Sequence, residues 1–226
     1  MIGCSALMRI DTSIRRLTFC LACCVWLIAS PALAHPHVWV TMKEELIYAP
    51  DRVLVGIRHA WTFDEMFSAY ATQGIGAKTK GQFTREELQS LAKLNVESLK
   101  EDGYYTNTWT DGQKRTDVFE TPTDYWFDYD SEKSELTLHV TLRLKTPLMP
   151  KDLMIQIYDP IFFVDFGLDE NAPATLVTAP AQCAVSTSRP GGSPSFVPGV
   201  NQLFTKSDAN IGMGMQFASK ITVRCP

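Results

Sequence analysis

The chain has 226 residues, 45% of them apolar and 20% charged, with a formal net charge of −4. This is ordinary globular composition, and it excludes collagen-like, coiled-coil and wholly disordered chains. The length suits one domain or two small ones.

The first 34 residues stand apart. Arg9, Arg15 and Arg16 precede an apolar run, Leu17 to Ile28, that ends in the small-residue sequence Ala32-Leu33-Ala34. This pattern predicts a secretory signal cleaved after Ala34 and a periplasmic location. Leu21-Ala22-Cys23-Cys24 also resembles a lipoprotein signal, but Cys23 stands where Gly, Ala or Ser is expected. Roughly twelve apolar residues fall short of the roughly 20 that span a bilayer, so the protein is not expected to be membrane-spanning.

Cleavage would leave residues 35–226 as a single domain with 18 Lys and Arg against 24 Asp and Glu. That balance disfavours nucleic acid or an anionic membrane surface as partner. Four of the six cysteines leave with the signal. Cys183 and Cys225 remain, and an even pair in an oxidising compartment is most simply one disulfide, closing segment 183–225.

His37 to Tyr48 and Val53 to Phe63 read as a β-hairpin around Ala49-Pro50-Asp51-Arg52. Val53, Val55, Ile57, His59, Trp61 and Phe63 alternate onto one face. An even-length turn would set His37 opposite Asp64 and Val40 opposite Trp61. Asp64 to Ala71 reads as a short helix with an acidic cap, and Thr84-Arg85-Glu86-Glu87 as a capping box opening a helix through Lys100. From Tyr104 onward strands return, the clearest having Leu136, Leu138, Val140, Leu142 and Leu144 on one face. Leu153 to Tyr158, Phe162 to Leu168, Gln182 to Ser186 and Lys220 to Cys225 are further strands, the last two separated by the Pro-, Gly- and Ser-rich stretch Arg189 to Gly199. The expected fold is mainly β (α+β): an antiparallel, sandwich-like sheet structure with one helical insertion near residues 64–100.

Chemistry concentrates at the expected new terminus. His35-Pro36-His37 would place a free α-amine and two imidazoles within three residues, and such nitrogen donors suit zinc, nickel and copper. Pro36 has no amide hydrogen to lose, so a square-planar amino-terminal site is closed to this sequence. Asp64, with His59 as a further candidate, could complete a mixed nitrogen and oxygen site. Each also has a structural role open to it, Asp64 as a helix cap and His59 as a core histidine. His139 alternates onto a polar face. Residues 76–87 carry the glycine at position 6 and the glutamate at position 12 of an EF-hand loop. Gly76, Lys78 and Lys80 stand where oxygen ligands belong, so no Ca²⁺ is expected. No nucleophile elbow, P-loop, dinucleotide fingerprint or His-Glu-x-x-His sequence is present, and no enzyme activity is expected.

Five stretches together carry a family likeness: His35-Pro36-His37-Val38-Trp39-Val40, Trp61-Thr62-Phe63-Asp64-Glu65-Met66-Phe67-Ser68, the EF-hand-like loop, Thr123-Asp124-Tyr125, and Tyr158-Asp159-Pro160 before Phe162-Phe163. The chain resembles an uncharacterised proteobacterial periplasmic family described as a periplasmic component of ABC-type transport systems. Relatives are commonly encoded beside an inner-membrane NicO/RcnA-type nickel and cobalt permease, and some are implicated in zinc utilisation. The resemblance implies an accessory factor for Zn²⁺ or Ni²⁺/Co²⁺ transport with His35 and His37 as ligands. Two other classes stay open. One is an interaction module that holds no metal and stabilises a permease through aromatic residues such as Trp39, Trp109, Trp126, Phe127 and Tyr129. The other is a copper oxidase with an amino-terminal His brace, for which His59 would have to be the second histidine.

Overall fold

A computed structural model describes residues 36–189 and 213–225. They form two β-sheets with helices against one of them. The first sheet runs β5 (Tyr125–Asp130), β6 (Glu135–Leu148), β2 (Leu54–Phe63), β1 (Val38–Tyr48), β8 (Val164–Leu168), and β9 (Ala174–Val177) also pairs with β1. Pairing is antiparallel except that β8 and β9 run parallel to β1. The second sheet, antiparallel throughout, runs β10 (Ala184–Ser188), β11 (Ser219–Arg224), β7 (Asp152–Ile157), β3 (Thr106–Thr110), β4 (Gln113–Arg115).

The inward faces follow from period-two alternation. Val38, Val40, Met42 and Leu46 of β1, Ile57 and Trp61 of β2, and Leu136 to Leu144 of β6 supply one wall. Leu153, Ile155, Ile157, Ile221 and Val223 supply the other. The insertion is two helices, α1 (Glu65–Ala71) and α2 (Arg85–Leu99). Asp64 caps the first through Phe67 N (2.9 Å), and the capping box of Thr84 and Glu87 opens the second. Leu88, Ala92 and Val96 bury the inner stripe of α2, and Phe67 of α1 stacks on Phe63 at 4.6 Å.

The hairpin register differs from the expected one by two residues. Val40 pairs with Phe63 and Met42 with Trp61, so Asp64 lies across from Trp39 and not from His37. The cause is local. The loop holds three residues, Pro50 to Arg52, closed by Ala49 N to Val53 O and finished by Arg52 at φ 72°. A bulge at Val55 of β2, the unpaired residue opposite Ile47 and Tyr48, then adds a second step. From Ile57 to Phe63 the side chains keep their predicted faces, but the bulge reverses the alternation before it, so that Leu54 and not Val53 or Val55 enters the core.

The EF-hand-like loop keeps its turn and puts its glutamate to another use. Glu87 accepts the Lys78 amide on one oxygen (2.8 Å) and the Thr84 amide on the other (2.9 Å), so both oxygens tie the loop to the helix it precedes. Tyr158-Asp159-Pro160 is likewise a structural knot. The buried Asp159 carboxylate accepts the amides of Ile161, Phe163 and Val164 at 2.8–3.1 Å. The short helix α3 (Met213–Phe217) seats on this knot at Gly214, where a Cβ would lie 1.8 Å from the Asp159 carbonyl oxygen, and only glycine fits. Cys183 and Cys225 are bonded, joining the end before β10 to the end after β11.

Candidate functional site

The start of β1 is held rather than frayed. His37 N and Val38 N both donate to Phe163 O, at 2.9 and 3.2 Å, and the His37 ring lies 4.9 Å from the Phe163 ring. Phe163 is in turn fixed by Asp159. His37 is exposed on the outer face of the first sheet, and His35 lies outside the described residues, as does the predicted signal segment 1–34.

Asp64 reaches the same end of the sheet through β2. Its Oδ2 accepts Trp39 N at 2.9 Å and its Oδ1 accepts Phe67 N, so it staples β1 to the first turn of α1. The carboxylate retains further lone pairs for a cation. His37 therefore stands two residues before Trp39, the residue opposite Asp64, at the same end of the sheet.

His59 is elsewhere. It lies on the inward face with no exposed surface, paired across the ladder with Glu44, which is equally buried. Its Nδ1 meets Glu44 Oε2, and its Nε2 lies 3.3 Å from Thr106 Oγ1 on the opposing sheet. Trp61 Nε1 donates to Glu44 Oε1 at 3.1 Å. The order acid, imidazole, hydroxyl is that of a nucleophilic triad, but the hydroxyl proton is committed elsewhere: Thr106 Oγ1 lies 2.8 Å from Tyr104 O, which can only accept. Thr106 therefore accepts from His59, and the buried chain ties the two sheets together. Burial raises the Glu44 carboxyl against the lowering pull of His59 and Trp61. Sequence reasoning missed Glu44 altogether. The signal was present, because in β1 a glutamate occupies the inward register between Met42 and Leu46.

His139 belongs to a surface knot. It stacks on Trp126 at 4.7 Å with a 9° interplanar angle, and its Nε2 lies 3.2 Å from Asp128 Oδ2. Arg85 holds Asp128 through two bonds of 2.6 and 2.9 Å and covers Trp126. Burial would raise the Asp128 carboxyl, but Arg85, Trp126 and His139 together hold it below its usual range. Burial dominates at His139 and lowers it. Of the aromatic residues considered for a docking patch, Phe127 is fully buried, Tyr129 packs edge-on against Phe83, and Trp109 lies beneath Lys114. Trp39 is 48% exposed.

The structure thus places His37 and Asp64 at one end of the first sheet without a contact between them, and His59 in the core. Among the described residues, no three His, Cys, Asp or Glu side chains converge as a metal-holding group. No described helix is long and apolar enough to cross a membrane. A comparison with curated proteins finds no match. The family model described as a protein of unknown function, DUF1007, matches residues 20–225, and the chain belongs to that family.

Proposed function

We propose that this is a periplasmic accessory protein for divalent transition-metal transport, binding Zn²⁺ or Ni²⁺/Co²⁺ at its mature terminus and working with an inner-membrane permease of the NicO/RcnA type. The observation that supports it is the anchored, exposed His37 at the start of β1, two residues from His35 in sequence and at the same end of the sheet as Asp64. A strand end fixed by two backbone bonds holds the backbone of His37 in place, which limits the ordering cost of a site completed by the preceding residues. Imidazole and amine nitrogens with one carboxylate match the preferences of these ions. His59 is not needed for this set. Calorimetric titration of correctly cleaved protein with Zn²⁺ and Ni²⁺ tests the reading: His35→Ala and His37→Ala should each weaken binding, and unchanged affinity in both would end it.

An interaction module without metal has its own support. Trp39, Met66, Tyr70, Ile161 and Phe163 are all between 42% and 75% exposed, and the pairing of β1 with β2 and β8 brings their segments to one end of the fold. Co-purification with a permease that survives both EDTA and His37→Ala would favour it. The copper oxidase has less to stand on, because both ring nitrogens of His59, its required second histidine, are engaged in the core.

A further inference from the structure

The end of α2, the turn after it, β4 and the outer part of β6 enclose a cleft of about 420 Å³ that no part of the metal reading uses. Four cations line it: Lys100, Lys114, Arg115 and Lys145. A second cleft of about 370 Å³ lies against Lys114, Arg115 and Lys145 as well. The concentration is notable in a chain whose net charge is negative. Two carboxylates share the lining. Asp117 is bound to Lys145 at 2.6 Å, and Asp102 stands at the turn. Lys114 lies 5.4 Å over the Trp109 ring, while Lys100 and Arg115 form no ion pair among the described residues. The cleft therefore holds a net positive charge, with Lys100, Lys114 and Arg115 outside any ion pair among the described residues.

Its walls are fixed. Gly103, Tyr104 and Tyr105 are successive residues at φ 59°, 57° and 52°, a left-handed run that bulky side chains avoid and that is held here at the cleft's edge. Lys145 N donates to Val118 O and Glu120 N to Arg143 O, binding the opposite wall to β6. Tyr104, Val118 and Phe119 give low-dielectric surface beside the cations, which focuses their field into the concavity. The volume lies within the range of small-molecule sites.

We propose that this cleft binds a small polyanion carrying at least two carboxylate or phosphate groups, held by Lys100, Lys114 and Arg115. The proposal does not rest on the metal reading. Two probes separate the ligand sources: citrate for polycarboxylates and inorganic pyrophosphate for phosphates. Calorimetric titration of the exported protein at low ionic strength should show one equivalent bound for at least one probe, with affinity falling as salt is added. Lys114→Glu combined with Arg115→Glu should weaken binding by about tenfold or more, since each removes a charge-assisted contact. Both residues lie on the exposed strand β4, so the core is untouched. Lys93→Glu combined with Lys133→Glu makes the same charge change elsewhere and should leave binding intact. Ligand should also change the Trp109 fluorescence as Lys114 leaves its ring, a signal absent in Trp109→Phe. Binding of neither probe at millimolar concentration, or equal loss in both charge-reversed pairs, would overturn the proposal.

Discussion

Glu44 and His59 face each other across the β1–β2 ladder, both without exposed surface, and the geometry around them accommodates a single shared proton. Trp61 supplies one hydrogen bond to Glu44, and Thr106 accepts the Nε2 hydrogen of His59. The remaining proton lies between Glu44 Oε2 and His59 Nδ1. The pair is net neutral with it, and without it a buried carboxylate faces an imidazole lone pair.

This arrangement predicts a sharp difference between two substitutions. Glu44→Ala strands a buried imidazole and should cost about 3–5 kcal/mol. Glu44→Gln can accept from Trp61 and donate to Nδ1, reproducing the protonated carboxyl, and should cost no more than about 1 kcal/mol. The pH dependence follows from burial, which raises the Glu44 carboxyl above its ordinary value of 4.5. A raised acid contributes stability that is full below that ordinary value and is lost as pH rises through the folded one. Urea unfolding midpoints from pH 4 to pH 9 should therefore show wild type losing ground to Glu44→Gln as pH rises. Parallel profiles would refute the shared proton.

How much of this was legible depends on the kind of signal. Local chemistry read well: the Asp64 cap, the Thr84–Glu87 capping box and the alternation of Leu136 to Leu144 are each set within a few residues. The hairpin register was not legible, because it turns on a left-handed Arg52 and a bulge at Val55, and neither residue type announces that conformation. Glu44 was readable only as an exception to a pattern, and its meaning needed Thr106, 62 positions away on the other sheet. Asp159 belongs to the same class, since its three amide donors come from a turn that sequence alone shows as an Asp-Pro break.

The cysteine bridge should matter for stability in proportion to the chain it closes. Cys183 and Cys225 are 42 positions apart, and a loop of that size is worth about 4 kcal/mol in the chain-entropy treatment. Cys183→Ser with Cys225→Ser should lower unfolding free energy by up to that amount. The β10–β11 ladder remains available to the reduced chain, so partial retention of the fold is expected. Denaturant unfolding with and without reductant measures the difference, and a change below about 1 kcal/mol would show that the ladder, and not the bridge, restrains the segment.

Arg85 contributes, beside burial, to the titration of the surface knot on β5 and β6. It holds Asp128 down and, as a neighbouring cation, also lowers His139. Arg85→Ala should raise both. A lowered histidine contributes stability above its ordinary 6.5 that is lost as pH falls, so the variant should show a weaker stability loss between pH 7 and pH 5 from this group. Proton NMR titration of the His139 ring in the two proteins reads the shift directly, and an unmoved midpoint would remove Arg85 from the network.

Asp64 separates a ligand from a staple. Its two oxygens already hold Trp39 N and Phe67 N, so Asp64→Ala should cost about 1 kcal/mol through the lost cap alone, whatever its part in metal binding. Asp64→Asn keeps one accepting oxygen for the cap, loses the negative charge and sets an amide NH2 where Trp39 N needs an acceptor, a loss of about 0.5–1.5 kcal/mol. If the carboxylate completes the terminal site, Asp64→Asn should fold with no more than that loss of stability and bind Zn²⁺ or Ni²⁺ about tenfold more weakly or worse. If it only staples the strand to α1, metal affinity should stay at the wild-type level in Asp64→Asn while His37→Ala still weakens it. Binding should also weaken on acidification, because protons compete with the metal for imidazole nitrogens. Affinity that stays flat from pH 8 to pH 5 would move the site onto carboxylates and away from the histidines, and Asp64→Asn would then become the most damaging of the three substitutions.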